Sequence, residues 1–306
     1  MRGFVGPLPE GSEDWLTDDQ LPGLFRAADR ASMAGQRYTL WWNQLRLGGA
    51  VVAAVGGAFS FMAGRFDLWG FVGLAGFLAA LVAELVMLAQ RPEQEWYTGR
   101  AIAESAKTLA WKYAVRGAPF DDTLPDKDAR LLLAERLREV TAKAQGRVTV
   151  PTGPHAFVTE AMLALREQDL PTRRAIYLRN RVDDQRAWYE RKAEANRRRA
   201  VWWQLSLVAG EIAAILIAAG RAFGIWEADW SGIMAALVAA GAAWLVLKQH
   251  SSLATAYAVT TNELGLAAEQ LSTASDDDWS QAVADAEEAI SREHTMWLAS
   301  RNDRGH

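Results

Sequence analysis

The chain contains four long stretches of almost purely apolar residues, arranged as two pairs. They are residues 47–64, 68–89, 202–226 and 230–247, and only Glu84, Glu211 and Arg221 carry charge within them. A helix of about 20 apolar residues crosses the ~30 Å hydrocarbon core of a bilayer. The pattern therefore predicts an integral membrane protein with four spans, which has the lipid bilayer as a partner.

Basic residues lie almost entirely on one side of the predicted spans. The flanks of the two pairs carry Arg37, Arg46, Arg91, Arg100, Arg191, Lys192, Arg197, Arg198, Arg199 and Lys248. The turns within the pairs, residues 65–67 and 227–229, hold a single basic residue between them. Because flanks rich in Lys and Arg remain in the cytoplasm, we expect both termini and the 90–201 connection to be cytoplasmic.

The two pairs are entered by similar sequences, Trp41-Trp42-Asn43-Gln44-Leu45 and Trp202-Trp203-Gln204-Leu205. Both pairs run in the same direction, unlike the inverted repeats of many transporters. The predicted fold is an all-α integral membrane protein. It has two parallel repeats of a two-span helical hairpin, with long helices extending into a cytoplasmic helical bundle.

Helical periodicity continues through most of the polar sequence. We expect helices over Asp18–Met33, Pro92–Val115, Asp126–Ala144 and Ser275–Asn302, and one long helix running from Pro171 to Trp226. The second and fourth spans are expected to run on into polar helices from Gln90 and Gln249. Residues 147–154 are predicted to be a loop between the repeats.

Several kinds of chemistry are disfavoured by the composition. There are no cysteines, and the four histidines are not paired at the spacing of metal ligands on a helix. The polar regions lack a glycine-rich phosphate loop, and no pairing of a nucleophile with a base stands out. A net charge of -4 argues against bulk nucleic-acid binding. We therefore expect no enzymatic activity, no cofactor, no metal site and no nucleic-acid partner.

Two acidic residues within the spans are candidates for lining or gating a pore. Glu211 lies nine residues inside the third span and Glu84 about five residues from the end of the second. Ionisable groups in lipid are costly, so they usually face a partner, a cavity or an ion path. For Glu84 the alternative is an interfacial side chain that reaches water. Arg221 is expected to extend its side chain to the headgroups.

Small residues recur every four positions in the spans. We expect close helix packing at Gly49, Ala53, Gly57, Gly76 and Ala80, since such faces let helix backbones approach each other. Gly210 and Ala214 form a similar face in the third span and are candidate gate residues beside Glu211. This pattern is compatible both with packing inside one chain and with oligomerisation.

Three segments of the polar helices carry characteristic aromatic and charged residues. One is Trp96-Tyr97-x-x-Arg100-x-x-x-Glu104-x-x-Lys107-x-x-x-Trp111-x-Tyr113. A second is Arg173-x-x-x-Tyr177-x-x-x-Arg181-x-x-Asp184-Gln185-x-x-Trp188-Tyr189-x-x-Lys192-Ala193-x-x-Asn196. A third is Ala289-Ile290-Ser291-x-Glu293-His294-x-x-Trp297. These segments resemble the helices of SLATT domains, two-span modules of bacterial conflict systems. On this resemblance, an N-terminal amphipathic helix (1–34) precedes a first module (35–146), a connecting segment (147–170) and a second module (171–306).

The resemblance implies a pore-forming effector of a bacterial anti-phage system. Such an effector would form homo-oligomers and permeabilise the inner membrane after a cytosolic signal. Its trigger would be a sensor protein, a nucleotide second messenger or membrane disturbance. We expect the cytoplasmic helices, including Leu132, Leu133 and Leu137, to supply contacts between subunits. The alternative reading is a membrane-anchored helical scaffold or adaptor without a conducting pore.

Overall fold

The computed structural model describes residues 15–142 and 157–302, with side chains described up to residue 291. The predicted loop at 147–154 lies outside these ranges, as do His155 and His306. In chain order the helices are α1 (Gly23–Ala58), α2 (Leu68–Gln90), α3 (Pro92–Ala114), α4 (Asp126–Ala142), α5 (Glu160–Arg166), α6 (Leu170–Tyr177), α7 (Asp184–Ala222), α8 (Trp230–Lys248), α9 (His250–Thr273) and α10 (Trp279–Asn302). A π-helical turn, Leu178–Asp183, joins α6 to α7, and the strands Met62–Ala63 and Phe66–Asp67 form a two-residue hairpin. The prediction of an all-α protein is confirmed.

The chain divides into two compact units. The polar unit comprises Met1–Gly35, Gln94–Ala193 and Thr255–His306, and the hairpin unit comprises Gln36–Glu93 and Glu194–Ala254. The polar unit has one apolar core, in which Leu21, Leu24 and Ala28 of the predicted amphipathic helix are fully buried. Leu133 and Leu137 are buried in the same core. Those two leucines therefore face the core of their own unit, which corrects the expectation that they supply contacts between subunits.

Three helical segments of the described chain are long and apolar enough to cross a membrane: Leu68–Gln90, Leu170–Ala222 and Trp230–Thr273. Their most apolar windows are only 17%, 6% and 6% buried. Large exposed side chains such as Phe77, Leu88 and Leu216 cover these helices. An apolar surface of this extent is typical of contact with lipid or another apolar partner.

The first predicted span, residues 47–64, differs from the structure. Its helix ends at Ala58, and the chain then forms the short β-hairpin before α2 begins at Leu68. The Asp67 carboxylate accepts hydrogen bonds from the backbone N–H groups of Phe61 (3.1 Å) and Trp69 (3.1 Å). It thereby closes the turn and caps the first N–H groups of α2. The third span is also shorter than expected, because α7 ends at Ala222.

The predicted continuations of the second and fourth spans are interrupted at one residue each. Arg91 (φ 45°) separates α2 from α3, and Gln249 (φ 51°) separates α8 from α9. A left-handed residue at the end of a helix lets its N–H group satisfy an orphan carbonyl of the last turn. Here these N–H groups bond to the carbonyls of Met87 and Leu245.

Candidate functional site in the membrane hairpins

The first hairpin is held together by close contact between backbones. A methyl group on Gly49 would lie 2.7 Å from the Gly76 carbonyl oxygen and 3.3 Å from the Ala80 methyl. One on Gly76 would lie 2.5 Å from the Ala53 nitrogen. The structure thus brings four of the five small residues singled out from the sequence into one seam between α1 and α2. Such distances leave room only for hydrogen atoms, as in close-packed transmembrane pairs.

Gly57, the fifth of these residues, lies away from the seam. A methyl group there would meet no atom within 4 Å, whereas one on the neighbouring Gly56 would collide with the backbone of Gly73. The seam therefore follows Gly49, Ala53 and Gly56, a spacing of four and then three residues. The sequence pattern of every fourth residue missed this because a helix has 3.6 residues per turn.

Glu84 pairs with a basic residue of the same hairpin. Its Oε2 atom accepts a hydrogen bond from Nη1 of Arg46 at 2.7 Å, joining α2 to α1. The other guanidinium nitrogen, Nη2, donates to Oδ1 of Asn43 at 3.3 Å. The Glu84 side chain is 56% exposed, so this ion pair stabilises the hairpin only weakly. The structure thus gives Glu84 a basic partner within the chain, one of the environments expected for an ionisable group in a span.

The second hairpin packs through side chains. A methyl group on Gly210 would lie 2.9 Å from Cγ2 of Val238, and one on Gly241 would lie 3.0 Å from Cδ2 of Leu207. Ala214, one turn beyond Gly210, is half-buried. Contacts with flexible side-chain ends leave this pair of helices more room to adjust than the backbone seam of the first hairpin.

Glu211 lies on the outer surface of α7. Its side chain is exposed, and its neighbours Val208, Ile212 and Ile215 are also exposed. Among the residues that the structure describes, none makes an ion pair or hydrogen bond with this carboxylate. At 1.5 Å per residue, Glu211 is about 13 Å along the helix from Trp202, close to the middle of a ~30 Å hydrocarbon layer. A single copy of the chain therefore presents an uncompensated carboxylate on an apolar face.

Both hairpin turns carry an aspartate that caps the following helix. Asp229 accepts from the Gly232 N–H group (3.1 Å) and pairs with Arg221 at 2.6 Å, the basic residue expected to reach the headgroups. Hydrogen bonds from the Ser231 hydroxyl and the Gly232 amide lower the pKa of Asp229. The same kind of bond, chiefly from the Phe61 N–H group, lowers the pKa of Asp67. Both caps are therefore charged at neutral pH.

The core of the polar unit contains a buried ion pair. Nε and Nη2 of Arg181 donate to the two carboxylate oxygens of Glu287 at 2.8 and 2.7 Å, and both side chains are 1% exposed. The Tyr177 hydroxyl (3.2 Å) and the Thr108 hydroxyl (2.8 Å) donate to the same carboxylate. Although burial opposes the charged guanidinium, Glu287 raises the pKa of Arg181 above its usual value. Burial, reinforced by Glu287, raises the pKa of Tyr177.

This network joins α3, the π-helical turn and α10, which are far apart in the sequence. Arg181 and Tyr177 were visible in the sequence as landmarks one helical turn apart. Glu287 stands in an acidic helix beside Glu288 and gave no signal of burial. Sequence reasoning therefore found two members of the network and missed the residue that joins them.

Two long helical hairpins with lipid-type surfaces, attached to a separate polar unit, define the protein as a membrane-associated helical protein. Residues 22–174 match the family model described as SMODS and SLOG-associating 2TM effector domain 3. Residues 177–297 match the model of SMODS and SLOG-associating 2TM effector domain 1. The chain belongs to this family, the SLATT domains, and carries two of them in tandem. No curated protein and no solved structure was found to match it.

SLATT domains are membrane effectors associated with bacterial conflict systems. The tandem arrangement suspected from the sequence is confirmed by the two adjoining matches.

Proposed function

We propose that this protein is a pore-forming effector of an anti-phage system. Several copies assemble in the bacterial inner membrane and permeabilise it after a cytosolic signal. The polar unit and both termini lie in the cytoplasm, and a sensor protein or a nucleotide second messenger supplies the trigger. Glu211 carries this proposal, because its position on α7 is costly for a single copy and favourable for an assembly.

The argument from Glu211 is energetic. A carboxylate at the centre of a lipid-exposed helix costs about 2.5–3.5 kcal/mol on insertion scales. Assembly of several copies with the Glu211 face turned inward places the carboxylates in a shared interior that water can enter. The apolar neighbours Val208 and Ile215 then pack against adjacent copies instead of lipid.

A pore lined by this face is closed at rest. Half-buried Ala214 flanks Glu211 along α7, whereas Gly210 packs against Val238 of the same hairpin, and the exposed side chains around Glu211 are aliphatic. A narrow apolar constriction excludes water and blocks conduction. Widening the ring of α7 helices wets the constriction. The side-chain packing of the second hairpin allows such movement more readily than the backbone seam of the first.

The first test is cysteine cross-linking, for which the chain offers a clean background because it has no native cysteine. Ile215, one turn from Glu211, is 67% exposed, and Phe77 of the first hairpin is 66% exposed. In native membranes treated with a mild oxidant, Ile215→Cys should form disulfide-linked dimers. Phe77→Cys, a control of equal exposure, should remain monomeric. Equal cross-linking of both variants, or of neither, would contradict an assembly through the Glu211 face.

The second candidate function is a membrane-anchored scaffold, and one observation favours it. The small-residue seam of the first hairpin is used entirely within the chain, so this face is not available for contacts between copies. A monomer in mild detergent that causes no leakage from liposomes at any protein concentration would support this alternative.

A further inference from the structure

A cavity of about 590 Å³ opens within the polar unit. It is bordered by the chain before α1, by α1 and α3, and by the π-helical turn with the start of α7. Its volume lies in the range of about 300–1,000 Å³ that small-molecule sites occupy. None of the transmembrane residues discussed above borders it.

Aromatic side chains form two of its walls. Trp15 and Trp188 are half-buried at the cavity. Trp188 is fixed by a T-shaped contact with Tyr257 at 5.6 Å between ring centroids. Fully buried Trp111 also borders the cavity, and its indole N–H group has no acceptor among the described residues. Indole faces of this kind bind planar rings by stacking.

Two pairs of charges around the cavity are compensated, whereas the carboxylates of Asp29 and Asp184 have no ion pair among the described residues. Lys107 pairs with Asp18 at 2.9 Å, and Arg100 pairs with Glu104 at 2.8 Å. Arg179 is the remaining basic residue at the cavity, and no ion pair of its side chain exists within the described part of the chain. One available guanidinium suits a ligand with one phosphate group better than a polyanion.

Three further polar side chains, Asp29, Asn180 and Gln185, complete the lining. Burial raises the pKa of Asp29, and the neighbouring Asp18 and Glu104 contribute although Arg100 opposes them. Asn180 donates from Nδ2 to the Trp15 carbonyl oxygen at 3.3 Å, which leaves its amide oxygen to accept from a ligand. Gln185 adds a second amide. Carboxylates and amides read the donor and acceptor edges of nucleobases.

The π-helical turn explains how these groups reach the cavity. Arg179 and Asn180 border it, whereas Arg181 of the same turn is buried against Glu287. Short π-helical segments within α-helices are frequent at functional sites because the extra residue redirects side chains. The wide turn thus anchors one arginine in the core and presents the next polar residues to the cavity.

We infer that this cavity binds a purine nucleotide. The base lies against Trp15 and Trp188, its edge bonds to Asp29, Asn180 and Gln185, and its phosphate group bonds to Arg179. This inference rests on the proposed function, in which a nucleotide is one of the triggers, and it identifies the site and chemistry of that trigger. A ligand here bridges the chain before α1, the start of α1, α3 and the π-helical turn.

The test is calorimetric titration of the full-length protein in detergent with AMP, GMP, UMP, adenosine, guanosine and inorganic phosphate. At least one purine nucleotide should bind more tightly than UMP, because a purine stacks over a larger area, and phosphate alone should give no heat. Arg179→Ala should weaken purine nucleotide binding about ten-fold, the loss of one charge-assisted hydrogen bond, and leave the matching nucleoside unchanged. Arg179 is exposed, so this variant should fold.

Arg191→Ala is the matched control, because Arg191 is exposed on α7 and does not border the cavity. Absence of binding by both purine nucleotides would overturn the inference, as would equal losses in the Arg179 and Arg191 variants. Liposome leakage, measured separately, distinguishes the two proposals. Leakage without nucleotide binding overturns the site alone, and binding without leakage overturns the pore alone.

Discussion

The buried carboxylate of Glu287 offers a sharp test of how the polar unit is held together. It accepts four hydrogen bonds, two of them from Arg181, and neither side chain of this pair is more than 1% exposed. Glu287→Gln keeps the shape and removes the charge, which leaves a buried guanidinium without a counter-ion. Breaking a buried ion pair in this way costs about 3–5 kcal/mol. We expect the variant to lose that amount of stability in the polar unit.

Hydrogen exchange followed by mass spectrometry is the suitable assay, since it reports the opening free energy of α10 and of the π-helical turn separately. Asp285→Asn on the same helix removes an exposed charge and should change exchange by less than ~0.5 kcal/mol. The double variant Arg181→Met with Glu287→Leu should lose less than Glu287→Gln alone, because no charge remains buried. Exchange in Glu287→Gln that equals that of the wild type would refute the reasoning.

Four further predictions concern the two hairpins, Asp29 and the membrane topology. Gly76→Ala should destabilise the first hairpin by about 1–3 kcal/mol through overpacking, whereas Gly57→Ala, which faces open space, should not; thermal unfolding in detergent compares them. Asp29→Asn should raise stability at pH 7 and lose that gain toward pH 4, because the raised pKa of Asp29 makes its charged form unfavourable only above the pKa; a difference in melting temperature that stays constant from pH 7 to pH 4 would contradict this. Ala214→Asn should depolarise cells on induction at equal membrane abundance, and an unchanged membrane potential would mean that this face lines no gate. A reporter active only outside the cytoplasm should stay silent when fused at His306, because the C-terminus is expected to be cytoplasmic. A reporter signal would contradict this topology.

The stretches 68–89 and 230–247, predicted from the sequence as the second and fourth spans, coincide within one residue with the helices α2 and α8. Each helix is preceded by an aspartate that caps it, Asp67 for α2 and Asp229 for α8. The hydropathy pattern and the capping residue therefore indicate the same starting position for the helix. The helix predicted for the first span extends beyond Ala58 because Phe61 and Met62, which belong to the hairpin, are apolar. Composition alone does not distinguish an apolar turn from an apolar helix. The turn is closed by hydrogen bonds from the N–H groups of Phe61 and Trp69 to Asp67. A hydropathy pattern carries no information about these bonds.

The break at Arg91 was predictable and the break at Gln249 was not. Pro92 disfavours a helical conformation in the residue before it, so the sequence holds a signal at Arg91. Gln249 is followed by His250, and neither residue type marks the end of a helix. Its left-handed conformation depends on the packing of the folded chain.

The candidate sites were also predictable from the sequence only in part. The glycine pattern indicated the seam of the first hairpin, but the choice of Gly56 over Gly57 depended on the rotation of α1. The isolated charge of Glu211 was plain in the sequence, whereas its position on the outer surface of α7 was not. Arg179 and Asn180 became candidates only because a π-helical turn directs them to a cavity, and helical periodicity does not predict such a turn.

Leakage from liposomes tests the central claim most directly. The purified wild-type protein and Glu211→Leu are reconstituted at equal density with small and large entrapped dyes, and Glu84→Gln serves as a control because Glu84 is paired with Arg46 within the chain. If the protein forms a pore through the Glu211 face, the wild type and Glu84→Gln release the small dye and retain the large one, and Glu211→Leu changes the rate of release. Equal release by all three proteins, or none by any of them over the whole range of protein density, would contradict the account.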